Sequence, residues 1–321
     1  MTSTCATSTV KKAATIFWSK CGSIFENLAL EEWIFRRHDL DSLGEVMIAW
    51  SNTPTVVYGR HQNPFLEANT EFLSVAGIDL ARRHSGGGTV FHGHGNINLS
   101  IVTTHKNHCR PRNLTWIAEA LNSEFGTKIT PTKRDDLVFP DGERKVSGTA
   151  ARIVKGRAYH HLTLLVDEDL DLLRACLKSP FRGRVKTNAT ESVPAKAIGQ
   201  LSQDVPGIKI DDVRDVLFQN FALQYETCNI VVVNALDESA FPGVNATEAE
   251  LRSWDWRFAK SPKFTLDGST LVENGLITSS AVRPDLAGRP FDEVLPQFHG
   301  WAASQTAPLK SDASAAGSRD T

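Results

Sequence analysis

Three consecutive glycines, Gly86-Gly87-Gly88, constrain the fold of this 321-residue chain more than any other feature. With no Cβ, such a run costs backbone entropy that a helix or strand interior rarely tolerates. It lies between two strand-like segments, 78–81 and 89–91, and follows directly on Arg82-Arg83-His84-Ser85. A turn of bare backbone between strands can aim several N–H groups at one anion. An arginine beside it offers a planar fork suited to carboxylate or phosphate. The pattern reads as a cradle for an acyl phosphate or similar anion, or else as a glycine-rich hairpin with two solvated arginines. It is not a Walker loop, because no Gly-Lys-Ser/Thr follows, and contiguous glycines do not match the dinucleotide fingerprint.

Any such anion site has to be local, because the net charge is −2 and favours neither nucleic acid nor an anionic membrane. The hydrophobic fraction of 41% suits one large or two modest globular domains. Five scattered cysteines without a Cys-x-x-Cys pair suggest neither a disulfide framework nor a zinc site, which fits a reducing compartment. No apolar run approaches the roughly 20 residues that span a bilayer. Residues 1–15 are rich in Ser, Thr and Ala, carry Lys11 and Lys12 and lack acidic residues. They read as a targeting segment or a disordered leader.

Hydrophobic periodicity predicts strands over 16–18, 46–50, 55–58, 96–102, 158–166 and 230–233, and helices over 28–37 (capped by Asn27), 67–76, 114–125, 170–177, 213–224 and 248–257. Leu251, Trp254 and Phe258 are expected to face inward. The polar loop 59–64 follows a strand, a position that carries ligand contacts or makes a simple turn. His92 and His94 would share a strand face, but no third ligand stands at a telling spacing, so no metal is expected. A second informative stretch runs from Arg134 and Asp136 through the Asp141-Gly142 turn to Lys145-x-Ser147-Gly148-Thr149-Ala150. Small residues there let a ligand approach the backbone. Lys145 reads as a point charge for an anion or as an exposed edge-strand lysine. His161 and Thr163 share one face of the following strand, where a satisfied core histidine is the plain alternative. Residues 178–190 form a long basic loop, and 302–321 read as a disordered tail.

The glycine turn, the Lys145-x-Ser-Gly-Thr-Ala patch and the His160-His161-x-Thr163 strand, in this order, resemble the lipoate–protein ligase and lipoyltransferase family. So do Asn27-Leu-Ala-x-Glu31-Glu-Trp33 and the segment 56–64, and the similarity covers roughly 17–264. The phrases Leu177-Lys-Ser-Pro180, Phe241-Pro-Gly243 and Trp254-x-Trp256-x-x-x-Lys260 are similar to its mitochondrial transferase branch.

The resemblance implies an α+β fold of the biotin/lipoate–protein ligase type, with mixed β-sheets flanked by helices. The catalytic domain would span 16–262, a remnant of a small accessory domain 263–301, and Asn274-Gly275-Leu276-Ile277 would retain one hairpin. It implies transfer of a lipoyl group through a lipoyl-AMP pocket onto a lysine of the lipoyl domains of 2-oxoacid dehydrogenase complexes, in the mitochondrion. The glycine-cleavage H protein would be donor or acceptor, and a monomer is expected. ATP and Mg enter only if the chain is a full ligase, the alternative reading; an inactive lipoyl-domain-binding protein is the second. Arg83, Ser85, Gly86, Gly87, Gly88, Thr89, Phe91 and His92 match the family's lipoate-binding loop, and Asn96 follows it. Arg134 and Asp136 match adenylate-side contacts. Lys145, the expected catalytic residue, matches the lysine on the acyl carbonyl and α-phosphate, next to Ser147, Gly148, Thr149 and Ala150. His161 and Thr163 match the pocket strand, and Asn188 and Thr190 the segment that closes over the adenylate. Val57, Val90 and Leu164 are expected to line an apolar tunnel. The sequence departs from the family's pattern at Gly93, where an aspartate usually follows the histidine; the loop would there lose a carboxylate anchor.

Overall fold

The computed structural model describes residues 11–298. In chain order, β1 (Lys11–Ser19) leads into helix α1 (Ile24–Arg37), followed by β2 (Glu45–Trp50), β3 (Thr55–Tyr58), α2 (Pro64–Glu67), α3 (Thr70–Ala76), β4 (Asp79–Arg82), β5 (Val90–His92) and β6 (Asn96–Thr104). Helix α4 (Arg110–Phe125) precedes β7 (Thr130–Pro131), β8 (Leu137–Val138), β9 (Arg144–Lys145), β10 (Ser147–Val154) and β11 (Arg157–Leu165). Then come α5 (Leu170–Leu177), β12 (Val185–Thr187), β13 (Ala197–Ile198), α6 (Ile210–Ala222), β14 (Tyr225–Val233), α7 (Val244–Arg252), β15 (Phe264–Leu266), β16 (Thr270–Glu273) and β17 (Leu276–Ser280).

A mixed six-stranded sheet ordered β10-β11-β6-β2-β1-β14 forms the centre. Its middle strands are buried on both faces, so they read as continuous apolar runs. One face packs Ile97, Leu99 and Leu162 against Leu114, Ile117 and Leu121 of α4 and Leu217 and Phe221 of α6. The other packs Ile48 and Val102 against Phe25, Leu28 and Ile34 of α1 and Leu251 of α7. Each fully buried Leu, Ile or Phe contributes about 1.5–3 kcal/mol relative to exposure. Three small sheets, β4-β3-β5, β13-β9-β8-β7 and β12-β15-β16-β17, complete the α+β fold.

Several boundaries differ from the periodicity reading. Helix α1 starts at Ile24, not after Asn27. Asn27 is buried instead, bridging Ser19, the Cys21 carbonyl and Asn52. Glu31 and Glu32 sit mid-helix and buried. The helix expected over 67–76 is two, broken where Asn69 caps α3 by accepting from the Phe72 N–H. The helix expected over 248–257 ends at Arg252, and a single π turn, Asp255–Ala259, follows. Leu251 and Phe258 are buried, while Trp254 is half-buried, its indole N–H donating to Asp292.

Lys11 to Thr15, inside the expected leader, belong to β1, because β2 and β14 pair with that strand on either side. Residues 1–10 and the expected tail 302–321 lie outside the described residues. The basic loop contains β12, paired with β15. Asn274 and Gly275, both at positive φ, turn the β16–β17 hairpin. This last sheet shares a core with the glycine-turn region: Phe65 is packed by Phe258, Phe264 and Phe291.

Candidate lipoyl-transfer site

The glycine turn joins β4 to β5; Arg83 holds it from inside, and Arg82 ties the end of β4 to the 60–62 loop and to 256–261. Arg82, 1% exposed, donates to the carbonyls of Arg60, Gln62, Trp256 and Arg257 and to Ser261 Oγ, all at 2.7–3.2 Å. Arg83 donates to the carbonyls of Val57, Gly86 and Gly88 and to Ser85 Oγ at 2.6–3.2 Å. Neither arginine is solvated: both are buried and their forks close on protein oxygens, and Arg83 also lines the inner cavity described below. A turn of bare glycines lets its carbonyls fold inward onto a cation, and burying a guanidinium is tolerable only when its N–H groups are satisfied this fully. Gly87 adopts φ 84°, a conformation open to glycine. Burial lowers the Arg83 pKa to about 10, so it remains a cation at neutral pH.

Beneath the turn runs a buried relay. Ser85 Oγ accepts from Arg83 Nε and lies 2.9 Å from His161 Nε2. On the other side of the ring His161 Nδ1 lies 3.0 Å from Glu31 Oε1, and because a carboxylate only accepts, Nδ1–H is the donor there. His161 is thus neither a free ligand contact nor an inert core histidine; it is oriented by partners on two other elements. His92 is buried with Nδ1 2.9 Å from Asn52 Nδ2, and burial followed by the Arg83 charge pushes its pKa down to about 3. It stays neutral, and no cluster of metal-ligating side chains occurs among the described residues.

Two cavities meet here. A narrow inner one, about 30 Å³, is lined by Leu28, Trp50, Val57, Val90 and Leu162 together with Arg83, Gly88, His92, Asn98, Gly148, Thr149, Ala150, His161 and Thr163. A wider outer one, about 420 Å³, is lined by Lys145 and Ser147, by Thr89, Val90 and Phe91, by Leu165, Leu173 and Leu177, and by Arg174, Lys178 and Arg182. Val90, Gly148 and Thr163 line both. Gly148 keeps that junction open, since a Cβ there would stand 2.8 Å from Val90 Cγ1. Its N–H donates to Thr163 Oγ1 across the β10–β11 register. Leu164 does not line the tunnel; strand alternation turns it into the main core, and Leu165, on the Thr163 face, lines the outer cavity.

Lys145 is not an edge-strand lysine. Strand β9 is flanked by β8 and β13, and the Lys145 carbonyl accepts from Gly199 N–H. Its Nζ pairs with Asp136 at 2.7 Å on the outer cavity wall. Arg134 is exposed and lines neither cavity. Asn96 is wholly buried and lines neither; it accepts from Gly93 N–H and donates to Asn98. Ser147 Oγ accepts from Leu137 N–H and Thr149 Oγ1 donates to the Asp135 carbonyl, which ties the small-residue patch to the β7–β8 connection. Ser85 and Gly86 shape the turn from behind the cavity walls, and Gly87 is exposed on its outer side.

The side chains of Asn188 and Thr190 are exposed and line neither cavity. The closing contact comes two residues later. Ser192 Oγ accepts from Thr89 N–H at 2.7 Å and from Gln62 Nε2 at 3.0 Å, and Ser192 N–H donates to Glu67. Gln62 Oε1 in turn accepts from Thr89 Oγ1 and Gly59 N–H. Thr190 contributes through its backbone, donating to the His61 carbonyl at 3.1 Å. Sequence reading missed Glu67, Asn98 and Ser192, and it named Glu31 and Gln62 only as members of motifs. A signal existed for Glu31: it sits three residues from both Leu28 and Ile34, on the helix stripe that packs inward.

Residues 23–222 match the family model described as the lipoyl protein ligase A/B catalytic domain. The chain is 40% identical over 260 residues to the mitochondrial lipoyl amidotransferase of Homo sapiens, covering 80% of this chain and 69% of that protein. It is 36% identical over 244 residues to lipoate-protein ligase A of Bdellovibrio bacteriovorus, covering 74% of this chain and 70% of that protein. In fold it is similar to P. falciparum LipL1, solved with lipoate, with a TM-score of 0.65 at 22% identity over 83% of each chain. It is similar also to a lipoate-protein ligase A bound with ATP, with a TM-score of 0.59 at 22% identity over 76% of this chain and 96% of that one. The glycine turn, the Lys145 patch and the His161 strand all fall within the matched segment, and the chain belongs to the lipoyl protein ligase A/B catalytic family.

Proposed function

We propose that this protein is a mitochondrial lipoyltransferase that moves a lipoyl group from an activated donor onto a lysine of a lipoyl domain. The observation that carries the reading is the pair of cavities joined at Val90, Gly148 and Thr163, with Lys145 on the outer wall. The narrow, mostly apolar inner cavity suits the end of an acyl chain, and the outer one has room for a nucleotide and an incoming amine. The likeness to mitochondrial lipoyl amidotransferases supports both the transfer and the compartment.

In the reaction a neutral lysine amine attacks the acyl carbonyl of lipoyl-AMP. A C–N bond forms, the acyl C–O bond to phosphate breaks, AMP leaves with the bonding pair, and the amine nitrogen gives up one proton to the leaving phosphate or to solvent. Negative charge grows on the carbonyl oxygen as the amine adds. The Lys145 ammonium, held beside Asp136, stabilises that charge and the departing phosphate; one fixed donor of this kind contributes about 3–4 kcal/mol. The Ser192 contacts close residues 190–195 over the glycine turn and exclude water that would hydrolyse the anhydride. The acceptors are lipoyl domains of 2-oxoacid dehydrogenase complexes, and the H protein serves as donor or acceptor.

The ligase likeness supports a second reading, in which the chain makes its own lipoyl-AMP from lipoate and Mg-ATP. Intact-mass spectrometry of an apo lipoyl domain separates the two. Incubation with enzyme and lipoyl-AMP should add one lipoyl group. Modification with free lipoate and Mg-ATP would replace the transfer-only reading by the ligase one. No modification from lipoyl-AMP, lipoylated H protein or lipoate with ATP would sink both.

A further inference from the structure

Against Gly93 in the turn from β5 to β6 stands a carboxylate that nothing above uses. After His92 the chain runs Gly93-His94-Gly95 into Asn96, so the turn itself has no acidic residue. A carboxylate reaches it from the link between β11 and α5. Glu168 is 8% exposed; its Oε2 accepts from Gly95 N–H at 3.2 Å and its Oε1 from Asp169 N–H at 3.0 Å. The Glu168 backbone is fixed in turn, its N–H donating to Gln200 Oε1 at 2.8 Å. A Cβ built on Gly93 would lie 2.4 Å from Glu168 Oε1 and 2.7 Å from both Cδ and Oε2. Its three nearest neighbours are thus the three carboxylate atoms. The space vacated by a side chain at 93 is the space the Glu168 head group fills.

We propose that Glu168 is the positioning carboxylate of the inner cavity, taking from across the fold the place an acidic residue at 93 would hold, so that Gly93 and Glu168 form one exchangeable unit. The lever to the site is short. Gly93 directly follows His92, which lines the cavity. Gly93 N–H donates to Asn96 Oδ1 at 3.1 Å, and Asn96 Nδ2 donates to Asn98 Oδ1 at 3.2 Å. Asn98 lines the same cavity. The turn that Glu168 clamps therefore sets the spacing between two wall residues on different strands. A side chain of about 1.5 Å per bond at 93 would carry its own carboxyl into the Glu168 site, which explains why position 93 holds glycine while 168 holds glutamate.

The test is a swap cycle of Gly93→Asp, Glu168→Ala and the double variant, read by thermal unfolding and by transfer kinetics with lipoyl-AMP and an apo lipoyl domain. The kinetic arm rests on the proposed transfer activity; the unfolding arm does not. Gly93→Asp alone should lower the melting temperature and raise KM for lipoyl-AMP about tenfold, because two carboxylates are forced into one space. Glu168→Ala should raise KM several-fold with kcat changed less than about twofold, the signature of a displaced binding wall. The double variant should return both readouts to within about twofold of the parent. Glu168→Gln, which keeps the shape and one acceptor oxygen, should stay within about threefold. A double variant no better than the worse single would overturn the proposal, and so would a Gly93→Asp that melts and binds like the parent. Loss of transfer from the parent protein would instead count against the functional reading, and the unfolding arm would still decide the swap.

Discussion

The floor of the glycine turn and the rim of the outer cavity are both rich in arginine and lysine, yet they use them in opposite ways. On the floor, Arg82 and Arg83 are buried and spend their N–H groups on protein oxygens. On the rim, Arg174, Lys178 and Arg182 are exposed, and Lys145 is half-buried with one carboxylate partner. A buried guanidinium acts as a strut, because its desolvation is tolerable only with every donor occupied. A rim cation stays free to exchange its partner for a substrate anion. The comparison separates what shapes the site from what does chemistry in it, and substitutions on each side should fail differently.

The largest effect is expected at the floor. Arg82→Ala would leave the carbonyls of Trp256, Arg257, Gln62 and Arg60 without this donor and open a hole under Tyr58. Losing several buried hydrogen bonds to a charged group costs on the order of 4 kcal/mol or more, a large share of the stability of an ordinary domain. Urea unfolding should show a lowered midpoint and little soluble protein at 37 °C. Arg82→Lys should rescue only partly, since an ammonium lacks the planar fork. A midpoint like the parent's would show that the floor is no strut and remove the contrast with the rim.

At the rim, Lys145→Ala should leave folding nearly untouched, because its ion pair is partly solvated and worth at most about 1 kcal/mol. Transfer from lipoyl-AMP should fall by about 10²–10³ in kcat, the cost of losing one charge-stabilising donor. Single-turnover mass spectrometry of the acceptor domain measures it. Unchanged kcat with a raised KM would demote Lys145 from the chemical step to binding alone.

This division was only half legible in the sequence. The long elements and the order of the site motifs could be read because burial imposes period: the apolar β6 and β11 strands and the amphipathic α4 stand out in the pattern. The packing of the two arginines was not legible, because most of their partners are backbone carbonyls, 20 to 175 residues away for Arg82 and 3 to 26 for Arg83, which carry no side-chain signature. The role of Glu31 was not legible, because its partner His161 lies 130 residues further along the chain. Leu164 was expected on the tunnel wall, but strand alternation turns it into the main core and leaves its neighbour Leu165 on the cavity side. Ser192, whose hydroxyl reaches the glycine turn, was not singled out beside Asn188 and Thr190, because an irregular segment has no period from which to count.

Ser192 joins the two regions, and its effect should be the smallest and the most specific. Its hydroxyl is the acceptor for Thr89 N–H at 2.7 Å and for Gln62 Nε2 at 3.0 Å. Ser192→Ala removes that oxygen but leaves the two backbone ties of the segment, Thr190 N–H to His61 and Ser192 N–H to Glu67. About 1 kcal/mol of closing energy should be lost, which shifts the balance toward the open segment roughly fivefold. Folding should not register the change, since the segment is exposed on its outer side. What should change is the fate of the anhydride: water gains access, so lipoyl-AMP hydrolysis rises relative to acyl transfer by a similar factor. Counting AMP released against lipoyl groups gained by the acceptor gives that ratio in one assay. A ratio of parent value in Ser192→Ala, alongside a slowed Lys145→Ala, would mean that residues 190–195 cover the floor without guarding the reaction, and water exclusion would then fall to the walls of the cavity itself.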